Sequence, residues 1–245
     1  MEEKERWFVE SFARGLAVMR ALGQGAGPLR LSRIAEISGI PRAATRRLLK
    51  TLEALEYVGV QEGQFYLRAR ALDLGYAYLS SISVEQAVQP YLEELAAGAQ
   101  GSSSVGVLDA GEIVHVAHAS TQNRFRLVSV IGSRLPAYAL SLGRIILANL
   151  PAEMLERYFA AATFSALTPH TNSDVRKLRE VLAIERARGW AGCKDESVIG
   201  ITAIAVPLHN PRGAVTAAVN LSLMGEPVSP DELADRHLPM LRARR

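Results

Sequence analysis

Between residues 31 and 50 the apolar positions of LSRIAEISGIPRAATRRLLK fall into two short helical stripes with a glycine between them. Leu31, Ile34 and Ala35 share one face of a first helix, where Ala35 is small enough to let a second helix approach. Gly39 stands where the turn between two crossing helices needs a positive φ, which glycine adopts at little cost, and Ile40 plugs the joint. Pro41 predicts the start of the second helix, because its missing N–H is not needed in the first turn and its φ is already helical. At about 100° per residue, Ala44, Leu48, Leu52 and Leu55 line one face, while Ala43, Arg46, Arg47 and Lys50 point the other way. This is the pattern of a helix-turn-helix.

The flanking periodicity extends it. Leu16, Met19 and Leu22 predict a helix over residues 11–22 with Ser11 as its cap. Trp7, Phe8, Val9 and Phe12 ahead of it either close a small core or pack against a second subunit. Residues 57–67 read as a two-stranded hairpin around QEGQ, a wing whose tip carries Glu62 and no base, with Arg68 and Arg70 behind it within reach of phosphate. Leu72, Tyr76 and Leu79 share a face of a linker helix over residues 71–83. Ser83 and Gln86 have capping-box spacing for a helix over 84–99, which Pro90 should kink or interrupt.

From Ser103 the period changes to two, and SSVGVLD, EIVHVAHAS and FRLVSVI predict an antiparallel meander. A loop from residue 132 turns into a helix near Ser141, with Gly143 allowing close packing. Helices are predicted over 151–161, 174–188 and 231–245, and strands over 190–193, 199–207 and 214–223. The expected fold class is α+β with two domains. Residues 1–70 form a winged helix-turn-helix, 71–83 a linker helix, and 84–245 an antiparallel sheet with flanking helices.

Composition sharpens this reading where it is uneven. A net charge of +3 on 245 residues is modest, but residues 1–70 hold 12 basic and 8 acidic side chains against 16 and 17 in the remainder. The positive charge therefore travels with the helix-turn-helix, as in a nucleic-acid module joined to a neutral sensing or assembly domain. Cys193, the one cysteine, excludes an intramolecular disulfide and a multi-cysteine zinc site, and fits a reducing cytoplasm. No apolar run approaches the roughly 18 residues of a membrane span, so a cytoplasmic protein without a membrane partner is expected.

The candidate chemistry follows from position. A recognition helix presents its N-terminal residues to base edges in the major groove, which nominates Arg42, Ala43, Thr45 and Arg46, although Thr45 leans toward the buried side. Arg47 and Lys50 are placed for phosphates, which set register without carrying sequence information. His115 and His118, three apart on one strand, are expected on opposite sheet faces and unable to share a metal. Cys193 beside Lys194 invites a nucleophile, but no base accompanies it at recognisable spacing. No metal, cofactor or catalytic residue is expected. The competing class is an enzyme domain localised by a DNA-binding module.

With SFARGLAV, the helix-turn-helix, GSRLPAYALSLGR and ESVIGITAIAVPLHNPRGAVTAAVNLS in view, the chain resembles the IclR family of bacterial transcriptional regulators over nearly its full length. SFARGL, LGYAYLSS, SSSVGVLD and the LPAY run are similar to the branch holding the PcaR, PcaU and PobR type regulators of the β-ketoadipate pathway. That resemblance implies a GAF-like effector domain, homodimers or homotetramers on operator DNA, and control of protocatechuate or 4-hydroxybenzoate breakdown. The family often has small hydroxyl residues early in the recognition helix, where Ala43 and Ala44 stand here. By resemblance the effector pocket is lined by Ser141, Leu142, Cys193, Ile201, Ala203, Asn220 and Ser222, with Arg134 nearby, and takes a small aromatic or oxo carboxylic acid. A helix start at Ser141 would offer that carboxylate free N–H groups and the positive end of a dipole.

Overall fold

The computed structural model describes residues 7–25, 27–75, 84–121, 131–210 and 212–242, with side chains of the fourth helix described from residue 88. The chain divides into two compact units, Met1–Ser81 and Ile82–Arg245.

The first unit contains α1 (Glu10–Gly23), β1 (Leu29–Arg30), α2 (Leu31–Ser38), α3 (Arg42–Ala54), β2 (Val58–Gln61) and β3 (Gln64–Leu67). Val18, Leu22, Ile34, Ile40, Leu49, Leu52 and Val58 form its core. Gly39 has φ 68°, and its N–H closes the last turn of α2. Pro41 lies just outside α3 as the N-cap rather than opening the helix. The buried stripe of α3 is also rotated from the expected one: Thr45, Leu49 and Leu52 point inward, and Leu55 is exposed. The reason is local, because Thr45 fills the elbow between α2 and α3 and donates its Oγ1 hydroxyl to the carbonyls of Ile40 (3.0 Å) and Pro41 (3.2 Å).

α1 begins at Glu10 with Val9 as N-cap and no side-chain cap, so Ser11 does not serve as one. Trp7, Phe8, Val9 and Phe12 are exposed. The hairpin forms as expected, with β1 added as a third strand in the order β1-β3-β2, a pairing too short to leave a periodic signal. Residues 72–75 are helical, and Tyr76, Leu79 and Ser83 of the expected linker lie outside the described residues.

The second unit runs α4 (Val84–Ala99), β4 (Ser102–Asp109), β5 (Glu112–Ser120), β6 (Arg134–Pro136), α5 (Ser141–Ala148), α6 (Ala152–Ala161), α7 (Val175–Arg188), β7 (Ala191–Lys194), β8 (Ile201–His209), β9 (Val215–Met224) and α8 (Pro230–Arg242). Pro90 lies inside α4 without interrupting it. The strands form one antiparallel sheet in the order β6-β5-β4-β9-β8-β7. The expected strand FRLVSVI lies almost wholly outside the described residues, and β6 pairs with the start of β5.

Side chains alternate across this sheet, so its register sorts them into rows. On one face, Ser104, Asn220, Ala205 and Ala191 make a row across β4, β9, β8 and β7, and Ser102, Ser222, Ala203 and Cys193 make the next. α5 packs on this face, with Leu142, Ile145 and Ile146 against Ile113, Ala191, Ala205 and Ala218. Gly143 lets α5 sit against the turn before it, since a Cβ there would overlap the Ala137 carbonyl at 2.0 Å. The second row lies beyond the N-terminus of α5, and its small side chains leave space above them.

One irregularity alters the sheet's chemistry. Val105 pairs with Ala117 but Gly106 pairs with His115, so β5 carries one extra residue, a β-bulge at Val116. The extra residue cancels one alternation. His115 and His118 therefore lie on the same face, contrary to the opposite faces that unbroken alternation implies.

Candidate functional site

α3 presents Arg42, Ala43, Arg46, Arg47 and Lys50 to solvent. The cations of this unit fall into two groups. Among the described residues Arg14 is paired to Glu10 at 2.9 Å, Arg33 to Glu36 at 2.9 Å, Lys50 to Glu53 at 2.7 Å, and Arg68 and Arg70 both to Glu56. Arg42, Arg46 and Arg47 have no carboxylate partner among the described residues, as is also true of Arg20 and Arg30. Exposed pairs of this kind are worth about 1 kcal/mol or less, so Lys50 remains available to a phosphate. Thr45 does not: it is 0% exposed and its hydroxyl is spent on backbone carbonyls, which removes it from any surface that base edges reach. Arg47 also lines a groove with Glu10, Arg14, Leu48 and Thr51, between α1 and α3.

In the second unit a cavity of about 30 Å³ opens at the N-terminus of α5. Of the residues expected there, Ser141, Cys193, Ile201, Ala203, Asn220 and Ser222 line it. Leu142 does not. Successive helical residues diverge by about 100°, so while Ser141 faces the cavity, Leu142 turns into the core, 1% exposed and packed near Gly106. Arg134 is likewise elsewhere, exposed on β6 and bridged to Asp109 and Glu112 at 2.8 Å each. Ser102, His115, Leu135, Ala139, Leu140, Glu196 and Ser197 also line the cavity. Ser102 was within reach of strand alternation once its partner Ser222 was nominated; His115 required knowledge of the bulge, and Glu196 that of a loop.

The α5 terminus has Leu140 as N-cap and no side-chain cap, which leaves the first-turn N–H groups without a capping acceptor. Asn220 ties the floor together. Its Oδ1 accepts the Ser104 N–H at 2.8 Å and its Nδ2 donates to Ser222 Oγ at 3.0 Å, while its carbonyl accepts Ser103 Oγ at 2.6 Å. The volume holds about two waters. An aromatic acid enters only if apolar walls such as Leu135, Leu140 and Ile201 give way.

A buried charge cluster backs the cavity. Arg144, 3% exposed, donates from Nε to the Tyr138 carbonyl (3.0 Å), from Nη1 to the Gly192 carbonyl (3.3 Å) and from Nη2 to Glu196 Oε2 (2.6 Å). Glu196 Oε2 also accepts the Asn172 N–H at 2.9 Å. Glu185, 1% exposed, accepts the Gly192 N–H at 3.1 Å and is pushed up to about 7 by burial, against the pull of Arg144. Burial pushes the Cys193 thiol up as well, so it stays protonated at neutral pH and offers no thiolate nucleophile. His115 is lowered to about 4, again by burial, and is a neutral imidazole at physiological pH.

The chain is similar to known proteins over nearly its whole length. The family model of the bacterial transcriptional regulator IclR C-terminal region matches residues 76–244, and that of the IclR helix-turn-helix domain matches residues 11–62. The Pca regulon regulatory protein of Pseudomonas putida is 36% identical over 237 residues, 96% of this chain and 81% of that protein. The p-hydroxybenzoate hydroxylase transcriptional activator of Acinetobacter baylyi is 35% identical over 240 residues, 96% and 89% of the two chains. A crystal structure of a double mutant of the PobR inducer-binding domain from Acinetobacter, in complex with 3-hydroxybenzoic acid, is 33% identical with a TM-score of 0.58, over 64% of this chain and 91% of that one. No helix of the described residues is long and apolar enough to cross a membrane. The chain belongs to the IclR family of bacterial transcriptional regulators.

Proposed function

We propose that the protein regulates genes of aromatic-acid catabolism, for protocatechuate or 4-hydroxybenzoate, in response to an acid held in the α5 cavity. The observation that carries this reading is the uncapped N-terminus of α5 opening on a cavity floored by Ser102, Ser222, Ala203 and Cys193. Free N–H groups and a positive dipole end favour one carboxylate, and the apolar walls Leu135, Leu140 and Ile201 suit a ring beside it once they give way. The similarity to the Acinetobacter hydroxybenzoic acid complex supports the same class of ligand. A regulator of another small carboxylic acid is the second reading, favoured by the narrowness of the cavity.

On the DNA side, Arg42, Ala43 and Arg46 read base edges, and Arg47 and Lys50 hold phosphates. Two recognition helices would meet a pseudo-palindromic operator, which requires at least a dimer. The exposed Trp7, Phe8, Phe12, Leu72 and Leu74 supply apolar surface for that assembly. Sedimentation as a monomer at micromolar concentration would refute it.

The effector class is tested by thermal stabilisation across protocatechuate, 4-hydroxybenzoate, β-ketoadipate, pyruvate and glyoxylate. Ligand at about a hundred times its dissociation constant adds roughly 2.7 kcal/mol. A selective rise with an aromatic acid is expected. A rise confined to pyruvate or glyoxylate would transfer the protein to the second reading.

A further inference from the structure

We propose that the imidazole of His115 is the specificity-determining group of the cavity, accepting a hydrogen bond from a hydroxyl of the effector, so that the site takes hydroxylated aromatic monocarboxylic acids. The inference rests on the reading that this cavity holds the effector, and adds which substituent it reads and with which atom.

Three observations converge. His115 is 3% exposed and lines the cavity, so its ring is a polar group sealed from bulk water except through that space. Its Nδ1 lies 3.2 Å from Ser133 Oγ, and backbone bonds from His115 N to Ser133 O (3.1 Å) and from Gly132 N to His115 O (2.8 Å) clamp the strand that carries it. Its Nε2 has no hydrogen-bond partner among the described residues. The Nε2 of His118 is also without a partner among the described residues, but His118 does not line the cavity, whereas His115 does.

The protonation state decides what this atom offers. Burial holds the ring neutral, so one ring nitrogen carries the proton and the other a lone pair, and a proton on Nδ1 meets Ser133 Oγ. With Nδ1 protonated toward Ser133, Nε2 is a lone-pair acceptor. It matches a phenolic O–H and repels a carboxylate. The carboxylate therefore belongs at the α5 terminus, where donors are free, and the hydroxyl at His115. A second carboxylate has nowhere to go: the one charged residue lining the cavity among those described is Glu196, and the guanidinium behind it is engaged by Tyr138, Gly192 and Glu196. Dicarboxylates are thereby disfavoured. A ligand without the hydroxyl leaves a buried acceptor unpaired, and sites built around such bonds discriminate strongly.

The test uses the full-length protein and calorimetric titration with 4-hydroxybenzoate, 3-hydroxybenzoate, benzoate and adipate. The parent is expected to bind at least one hydroxybenzoate tenfold or more tightly than benzoate, and adipate more weakly still. His115→Met, of similar volume but without the ring acceptor, should bring the hydroxybenzoate to benzoate ratio within threefold. His115→Gln should retain part of the preference. A parent that binds benzoate as tightly as both hydroxybenzoates, or a His115→Met protein that keeps the ratio, overturns the assignment. Binding of neither class by the parent refutes the effector reading itself, and this assignment with it. Should His115→Met fail to fold, ¹⁵N-imidazole spectra of the parent decide: the His115 Nε2 resonance moves with hydroxybenzoate and not with benzoate if the inference holds, and equally with both if it does not.

Discussion

Glu185 places an ionisable group where its charge is poorly supported, and Glu185→Gln should therefore stabilise the second unit at alkaline pH and not at acid pH. The side chain is 1% exposed; its Oε1 accepts the Gly192 N–H and lies 3.7 Å from Arg188 Nη2, while its Oε2 is buried without a hydrogen-bond partner among the described residues. Burial raises the carboxyl from 4.5 to about 7, outweighing Arg144, the Gly192 N–H and Arg188, which all pull it down. A folded pKa above the unfolded one means that the folded state holds the proton more tightly. The associated stability is fully present below about pH 4.5 and is lost as pH rises through about 7. At about 1.4 kcal/mol per unit, the difference at pH 8 is about 3 kcal/mol. Glutamine keeps the oxygen for Gly192 and carries no charge. The variant should match the parent near pH 4 and exceed it by up to about 3 kcal/mol at pH 8. Urea denaturation at fixed protein concentration reads this, with Trp190 fluorescence in a Trp7→Phe background reporting on the second unit. A gap that does not change with pH, or a variant weakened more at pH 8 than at pH 4, would show that Glu185 is ionised and serves as a partner of Arg144.

Other perturbations address the two binding faces. Arg46→Ala should relax or abolish operator preference, whereas undiminished discrimination between operator and scrambled duplex would remove Arg46 from the base-reading set. Lys50→Ala should weaken binding to every sequence and make the salt dependence shallower by about one phosphate contact; an unchanged slope would place it outside the interface. Thr45→Val should cost about 1 kcal/mol of stability through its lost bonds to Ile40 and Pro41 and leave operator affinity of the folded protein intact. Loss of operator binding by a folded Thr45→Val protein would mean that the hydroxyl turns outward on DNA. Ala203→Leu should fill the cavity, abolish ligand-induced stabilisation and spare DNA binding, at a packing cost of about 1–3 kcal/mol; a retained ligand response would locate the effector elsewhere.

The buried stripe of α3 shows how fine the limits of sequence reading are. Leu48, Leu52 and Leu55 are all apolar, and a helical wheel seats them together, yet Leu55 is exposed and Thr45 takes an inward position. A hydroxyl that can bond the preceding carbonyls is tolerated inside, and the wheel does not register that. The residues around the cavity follow the same rule. Ser222, Ala203 and Cys193 share a row because β9, β8 and β7 are in register, whereas one residue's step around α5 carries Leu142 from cavity to core.

The sequence alone determined what depends on neighbours along the chain. Helical and strand periods, the turn glycine at 39, the basic face of the recognition helix and the division of charge between the two units are all local, and physical chemistry reads them without knowing what packs where. The tertiary structure alone decided what depends on distant partners. Which arginines lack carboxylates is set by side chains on other turns and strands, as with Glu56 drawing Arg68 and Arg70. Glu196 meets Arg144 across 52 residues because α5 and the loop after β7 converge on one sheet face. His115 faces the cavity only because a single extra residue at Val116 reverses the alternation, and a bulge is defined by two strands together.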